Sequence, residues 1–262
     1  MTEAKEKQPR VRIGFVLFWI TAVLLVVFYG HILFLPRSPF LPREASYWPY
    51  ERHYHFSLRF PFITSYFLML PKDYDPTKRY PLVMLLHGVS RHMAAGKALG
   101  MRDRREKYPF IAYIPIAPPA HYWAGTGSFS FIPEALPGAM ETLEALKKEY
   151  SIDENKVYVT GYSMGGIGTY AALVRYHGVF AAAAPLASAW DPAQADQIDD
   201  LPIWVFQGAQ DTYADLDRTM VKKMREEGVT VKFTDYPDRA HYIWDDVYRD
   251  DDFWDWLIAQ ER

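Results

Sequence analysis

The serine of the stretch GYSMGG, residues 161–166, could act as a nucleophile. The stretch follows the apolar run KVYVT and precedes the helical run IGTYAALVRY. A serine held in strained geometry on a sharp strand-to-helix turn requires small residues two before and two after it, because larger side chains would bring the strand and the helix into collision. Gly161 and Gly165 satisfy this requirement. The spacing predicts that Ser163 is exposed at the carboxyl end of a strand, where open α/β sheets bind ligands.

The same glycines have a competing interpretation, as a turn that only packs a helix on a strand or as a loop that binds phosphate. A phosphate loop requires the G-x-G-x-x-G or the Walker spacing, and neither fits residues 161–166. The position between a strand and a helix favours the nucleophile.

A serine hydroxyl is a weak nucleophile until a base removes its proton. On such a turn the partners follow in the order serine, acid, histidine, so the base is expected after Ser163. Two histidines follow it. His177 precedes Gly178 at the end of a helical run, where a histidine commonly interacts with the helix terminus. His241, between the last strand-like run and the final helical run, is the predicted general base.

The predicted acid is Asp211, which follows the strand-like run PIWVFQG. Its carboxylate would hold the imidazole of His241 in one tautomer and stabilise its positive charge. Asp191, one strand earlier, is the competing candidate. Most other carboxylates are interpreted as solvated surface or as caps. They include Asp199, Asp200, Asp217 and Asp238.

Acyl transfer also requires two backbone donors for the developing oxyanion. One is the N–H of the residue after the nucleophile, which is Met164. The second is expected in the loop after the run PLVMLLHG, and we assign it to Val89. His87 precedes the serine in the chain, so it is interpreted as a residue that organises this loop.

Aromatic side chains near these runs are candidates for substrate contact, although core packing is the alternative role for each in a chain that is 16% aromatic. His53 and His55 lie two residues apart on one strand, but no third ligand is apparent nearby, so we expect no metal. The proposed chemistry needs no organic cofactor. The aromatic candidates are Tyr162, Trp123, Trp190 and Trp244.

Strand-like runs alternate with helical patterns from residue 53 onward. The last six of the eight runs are apolar and mostly non-alternating, as strands covered on both faces are. Helices are predicted over 134–150, 213–227 and 250–260. The alternation predicts an α/β fold with a doubly wound, mostly parallel sheet and an antiparallel start. The runs are HYHFSLRF, TSYFLML, PLVMLLHG, FIAYIPIA, KVYVTG, FAAAAPLA, PIWVFQG and VKFTDYP.

The N-terminal region predicts a membrane anchor. Residues 13–35 contain no Asp, Glu, Lys or Arg and would reach about 34 Å as a helix, which is enough to cross a bilayer. The alternative, a cleaved signal peptide, is disfavoured by the length of this region and by the lack of a small-x-small site after it. Four Lys/Arg precede the span, which predicts a cytoplasmic tail, 1–12, and an extracytoplasmic bulk. A Pro-rich linker, 36–52, would lead to the catalytic domain, 53–262.

The bulk properties restrict the class of protein. The chain has 262 residues and a formal charge of −3, of which the first 52 residues contribute +3, so the remainder carries −6. A mildly acidic domain without a basic stripe is a poor binder of nucleic acid. The chain contains no cysteine, which excludes disulfides, thiolate metal sites and a cysteine nucleophile. No oligomeric state is predicted.

The blocks LLHG, GYSMGGIGTYAALVRY, PIWVFQGAQD and AHYIWDDVY resemble the α/β-hydrolase superfamily, and within it the esterases and putative peptidases related to polyhydroxybutyrate depolymerases, feruloyl esterases and the phospholipase/carboxylesterase family. The resemblance covers about residues 64–260. It implies an α/β-hydrolase fold, with the triad and the oxyanion hole at the positions assigned above. The chain departs from the group at Gln207, where members often have histidine, and at Ala240, where glycine is common.

The expected reaction is hydrolysis of a small-molecule or polymeric carboxylic ester through an acyl-enzyme. A serine peptidase or an acyltransferase with the same triad is one alternative. A membrane-tethered binding protein with an inactive hydrolase fold is another. The short segment between the runs FAAAAPLA and PIWVFQG leaves no room for a large cap, which predicts an open site.

Overall fold

The computed structural model describes residues 19, 21–23, 25, 49–57, 63–91, 94–125 and 132–262. The chain divides into two compact units, Met1–Ala45 and Ser46–Arg262. Of the first unit only the five residues at 19, 21–23 and 25 are described, and they are helical. The predicted tail, span and linker therefore lie outside the described residues, apart from these five and residues 49–52. Within the described residues, no helix combines the length and the apolar character needed to cross a bilayer.

The second unit is built on a sheet, which in its described part has eight strands in the order β1-β2-β4-β3-β5-β6-β7-β8. β2 runs antiparallel to its neighbours β1 and β4, and the remaining pairs are parallel, which agrees with a mostly parallel sheet and an antiparallel start. The strands are β1 Glu51–Phe56, β2 Ile63–Met69, β3 Tyr80–Leu86, β4 Ile111–Ile116, β5 Ile152–Tyr162, β6 Ala182–Leu186, β7 Ile203–Gly208 and β8 Val231–Tyr236.

The strands β4, β6 and β7 are wholly buried, as strands covered on both faces of a sheet are. The helices predicted over 134–150, 213–227 and 250–260 correspond to α3, α5 and α7, which begin and end within one or two residues of those bounds. The structure adds α1, α2, α6 and a 3-10 helix at Pro192–Gln197. The bounds are α1 Ala94–Gly100, α2 Arg102–Lys107, α3 Leu136–Glu149, α4 Met164–Arg175, α5 Ala214–Glu226, α6 Trp244–Arg249 and α7 Asp251–Ile258.

The centre of the sheet carries the turn of Ser163. β5 pairs with β3 on one side and with β6 on the other. Leu82, Met84, Val157 and Val159 on these strands are at most 1% exposed and belong to one apolar core. Fully burying a side chain of this size stabilises the fold by about 1.5–3 kcal/mol. Since β3, β5, β7 and β8 are parallel, the loops that follow them meet at one edge of the sheet.

Candidate active site

Ser163 lies between β5 and α4 in a strained backbone conformation. Its φ is 55° and its ψ is −121°, a region that costs a non-glycine residue on the order of 1–3 kcal/mol. Its N–H donates to the carbonyl of Leu186, 2.9 Å away. A Cβ on Gly161 would lie 2.5 Å from the carbonyl oxygen of Gly165, and one on Gly165 would collide with the carbonyl of Leu86. The two glycines therefore permit the close approach of strand and helix that places the serine on the turn.

The three residues Ser163, His241 and Asp211 form a continuous hydrogen-bonded chain. His241 Nε2 is 2.9 Å from Ser163 Oγ, and His241 Nδ1 is 2.7 Å from Asp211 Oδ2. A carboxylate only accepts, so Nδ1–H donates to it and Nε2 is left to accept the serine proton. The Asp211 side chain is 2% exposed and that of His241 is 40% exposed. The arrangement buries the acid and leaves the base accessible from solvent.

The start of α5 holds the carboxylate of Asp211. Oδ1 accepts from the N–H of Tyr213 and from the Thr212 hydroxyl, each at 3.3 Å. Tyr213 is the N-cap of α5, so the positive end of the helix dipole faces the carboxylate. The competing candidate, Asp191, instead caps the 3-10 helix by accepting from Ala193 N at 3.0 Å. The geometry favours Asp211 as the partner of the imidazole.

Gly208, which is not among the residues predicted from the sequence, positions the loop that carries His241. A Cβ at Gly208 would collide with the carbonyl of Ala240 and lie 2.7 Å from that of Arg239. The loop is further held by the Gln210 N–H, which donates to Arg239 O at 2.9 Å. The position of this glycine at the end of β7, directly before the predicted acid loop, is the signal that could have revealed it.

The predicted oxyanion donors flank the serine. Met164 is the first residue of α4, and the N–H groups of a first helical turn lack partners within the helix. Val89 lies in the turn after β3, which the Arg91 N–H closes by donating to Gly88 O at 3.0 Å. A Cβ on Gly88 would lie 3.5 Å from Ser163 Cβ, so this turn packs directly against the predicted nucleophile.

His87 is a buried residue of the same turn, 3% exposed. Its Nδ1 bonds Gly88 O at 2.7 Å, and its Nε2 accepts from the Ala117 N–H at 3.1 Å. These contacts require the neutral tautomer with the proton on Nδ1. Burial lowers the pKa of His87 to about 4. The ring thus ties the turn to the chain after β4.

The predicted substrate contacts reduce to one. Trp123, Trp190 and Tyr162 are at most 4% exposed, so these rings pack rather than face a ligand. The indole N–H of Trp123 donates to His87 O at 2.8 Å, and the indole N–H of Trp190 donates to Gln194 Oε1 at 2.9 Å. Burial raises the pKa of Tyr162 to about 12. Trp244 is partly exposed, and its ring lies 5.8 Å from that of His241.

Two exposed aromatic residues, absent from the candidates above, lie near His241. Tyr213, 37% exposed, has its ring centre 6.0 Å from that of His241. Tyr242, 56% exposed, lies against Trp244 with ring centres 4.3 Å apart. Tyr213 lies two residues after Asp211, and Tyr242 directly follows His241. This closeness in the sequence is the signal that could have predicted their position near the site.

The two histidines of β1 face different carboxylates. His53 Nε2 is 3.7 Å from Glu51, and His55 Nε2 is 3.6 Å from Glu141. In the part of the chain that the structure describes, no group of three or more His, Asp or Glu side chains is placed to hold a metal ion.

Known proteins resemble the chain over the region that carries this site. The Dienelactone hydrolase family matches residues 123–247. Poly(3-hydroxyalkanoate) depolymerase C of Paucimonas lemoignei is 30% identical over 113 residues, which are 41% of this chain and 27% of the depolymerase. The crystal structure of a thermostable esterase superposes with a TM-score of 0.73 at 29% identity, over 81% of this chain and 63% of that chain. The chain is similar to these proteins and has the α/β-hydrolase fold.

The chain is also similar to the bifunctional acetylxylan esterase/xylanase XynS20E of Neocallimastix patriciarum, with 44% identity over 45 residues, which are 17% of this chain. The chain spans only 27% and 7% of the lengths of the two curated relatives, and less than two thirds of the thermostable esterase. The α/β-hydrolase resemblance inferred from the sequence is confirmed.

Proposed function

We propose that this α/β-hydrolase is a membrane-anchored carboxylic ester hydrolase that acts through Ser163, His241 and Asp211. The observation that carries the proposal is the unbroken hydrogen-bonded chain from the serine hydroxyl to the buried carboxylate, with the serine on a strained turn. A hydroxyl bonded to a neutral imidazole, which a carboxylate orients in turn, is the arrangement that activates serine for attack on a carbonyl.

In the proposed mechanism, His241 Nε2 takes the proton from Ser163 Oγ while the oxygen attacks the ester carbonyl. The N–H groups of Met164 and Val89 would donate to the oxyanion of the tetrahedral intermediate. His241 then returns its proton to the leaving alcohol, and the acyl-enzyme forms. Water, activated by the same imidazole, releases the acid and restores the serine.

The proposed substrate class is a small-molecule or polymeric ester. Only 16 residues, 187–202, separate β6 from β7, which is too few for a large cap over the site. The base is 40% exposed, and the partly exposed rings of Tyr213, Tyr242 and Trp244 lie beside it. An accessible site bordered by aromatic faces accommodates bulky or extended substrates. The names of the depolymerase and the acetylxylan esterase agree with such substrates.

A panel of p-nitrophenyl esters of increasing acyl length, assayed beside peptide p-nitroanilides, tests this function. The proposal predicts ester turnover by the wild type and loss of all but residual turnover in Ser163→Ala, with little hydrolysis of the anilides. Faster anilide than ester turnover would make the protein a peptidase. Turnover that is equal in both proteins would contradict the assignment of the nucleophile.

The membrane part of the proposal rests on residues 13–35 and on the Lys/Arg bias before them. In this arrangement the N-terminus is cytoplasmic and the catalytic unit is extracytoplasmic. Alkaline carbonate extraction of membranes that contain the full chain should leave the protein in the pellet. Recovery of a shortened protein in the supernatant would show a cleaved leader instead.

A further inference from the structure

Asp217 does not belong to the solvated surface, and that interpretation of the sequence is wrong. Its side chain is buried within α5, 1% exposed. It shares the buried stripe of that helix with Ala214, Met220, Val221 and Met224. The helical spacing of these apolar residues is the signal that would have placed the carboxyl group inside.

The carboxyl group of Asp217 makes one direct link to another helix. Tyr170 of α4 is fully buried, and its hydroxyl donates to Asp217 Oδ1 at 2.7 Å. The other oxygen, Oδ2, is buried and has no hydrogen-bond partner among the described residues. A buried carboxylate with a single neutral donor and no cation on it is strongly disfavoured relative to the neutral acid.

The two helices that this bond joins are those that carry the proposed triad. Ser163 directly precedes α4, and Tyr170 lies two turns into that helix. On the other side, the Asp217 N–H donates to Tyr213 O at 2.9 Å, and the Tyr213 N–H donates to Asp211 Oδ1. Two hydrogen bonds through the backbone of Tyr213 therefore connect Asp217 to Asp211, the acid bonded to His241.

Four ionisable groups face Asp217, and none neutralises it. Tyr170 comes from α4, Asp211 from the loop after β7, Asp235 from β8 and Arg218 from α5 itself. Arg218 is already bound to Asp235 at 2.7 Å and to Asp215 at 2.8 Å. Burial, with Asp211 and Asp235 nearby, raises the pKa of Asp217 to about 8.

We propose that Asp217 is a positioning residue of the active site, which as a neutral carboxylic acid fixes the helix after the nucleophile to the helix after the triad acid. The proposal rests on the proposed function of Ser163, Asp211 and His241. When Asp217 loses its proton, the carboxylate must become hydrated or move away from Asp211. Either change loosens the contact between α4 and α5 and displaces the acid from the imidazole.

The test compares Asp217→Asn, Tyr170→Phe and the wild type in two measurements against pH. Asparagine keeps an oxygen that accepts from Tyr170 and has no proton to lose. The control is Glu227→Gln, which removes an exposed carboxylate just beyond the other end of α5. The first measurement is kcat and KM for a p-nitrophenyl ester. The second is the free energy of unfolding in urea, which does not depend on activity.

In the activity measurement, we expect kcat of the wild type and of Glu227→Gln to fall above about pH 8, with KM unchanged. Asp217→Asn should retain activity at pH 7 and lose this alkaline decline. Tyr170→Phe should lower kcat about tenfold, as small misplacements of catalytic groups do. Its decline should move to higher pH, because the tyrosine hydrogen bond lowers the pKa of the carboxyl group. An alkaline decline that persists unchanged in Asp217→Asn would overturn the positioning role.

In the stability measurement, the sign follows from the raised pKa. Between the usual range of an aspartic acid, near 4, and about pH 8, the folded state binds more protons at Asp217 than the unfolded state does. Stability of the wild type relative to Asp217→Asn should therefore decrease as the pH rises through this window. If the unfolding free energies of the wild type and Asp217→Asn changed in parallel with pH, Asp217 would not be neutral in the folded protein. This result would overturn the proposal even if the protein hydrolysed no ester. A stability difference in a protein without esterase activity would count against the function alone.

Discussion

Each of the three proposed catalytic side chains has one atom that the surrounding structure fixes. Ser163 Oγ projects from a tight turn. The glycines Gly161 and Gly165 allow the backbone of this turn to approach the carbonyls of Gly165 and Leu86. Asp211 uses one oxygen for the backbone at the start of α5, which leaves the other for His241 Nδ1. His241 Nε2 consequently faces the serine. The direction of proton transfer follows from this sequence of donors and acceptors.

Replacing Asp211 by asparagine tests the acid at this scale. The amide of Asp211→Asn can donate to Nδ1 and so favours the tautomer with the proton on Nε2, which cannot accept from serine. We expect kcat to fall on the order of 10⁴-fold, as when the carboxylate of a triad becomes an amide. Asp191→Asn, the matched control, should affect only the cap of the 3-10 helix, at up to about 1 kcal/mol of stability. Ester assays in which only Asp191→Asn loses activity would refute the assignment.

His87 provides a second residue-scale test, through its pKa of about 4. Because the unfolded state binds the proton more readily, this histidine contributes stability above about pH 6.5 that is lost as the pH falls toward 4. We expect the difference in unfolding free energy between wild type and His87→Gln to shrink by about 3 kcal/mol at most over this range. Urea titrations at several pH values measure it. A difference that stays constant across this range would contradict a buried neutral His87.

At the scale of elements, the ends of parallel strands bring distant residues together. β3 is followed by the turn of Gly88 and Val89, β5 by the serine, β7 by Asp211 and β8 by the His241 loop. Close backbone contacts at Gly165 and Gly208 fix how far α4 and the histidine loop stand from the sheet. The site therefore depends on backbone spacing as much as on the catalytic side chains.

Gly208→Ala tests this dependence. The added methyl would displace the carbonyls of Arg239 and Ala240, and with them His241. We expect kcat to fall by about 10²-fold, the effect of a displacement near 1 Å. Gly228→Ala is the control, because a methyl there meets open space at the opposite edge of the sheet, although its φ of 88° is unfavourable for alanine. It should lower the thermal midpoint and leave kcat unchanged, and the reverse pattern would contradict the role of Gly208.

At the scale of the whole molecule, sequence patterns predicted a mostly parallel sheet and the alternation of strands and helices, because these depend on local spacing. The hydrogen bonds that join Ser163, His241 and Asp211 agree with the chain order expected for the site. They did not predict which aromatic rings are exposed. Trp123 and Trp190 are buried and Tyr213 is not, a difference set by packing between distant elements. The expectation that Asp217 is exposed is wrong because it follows from the charge of aspartate alone. The position of Asp217 on the buried face of α5 predicts the opposite. The burial of a polar residue is explained only once its hydrogen-bond partner in the folded chain is known. For Asp217 this partner is Tyr170.

The central claim is that Ser163 is an activated nucleophile in the folded chain. Its most direct test is covalent labelling of the full-length protein with a fluorophosphonate, followed by intact mass and peptide mapping. We predict one adduct per chain, located on Ser163, which is absent in Ser163→Ala and slowed in Asp211→Asn. A wild-type protein that stays unlabelled, or a Ser163→Ala variant that is labelled as fast as the wild type, would contradict the account.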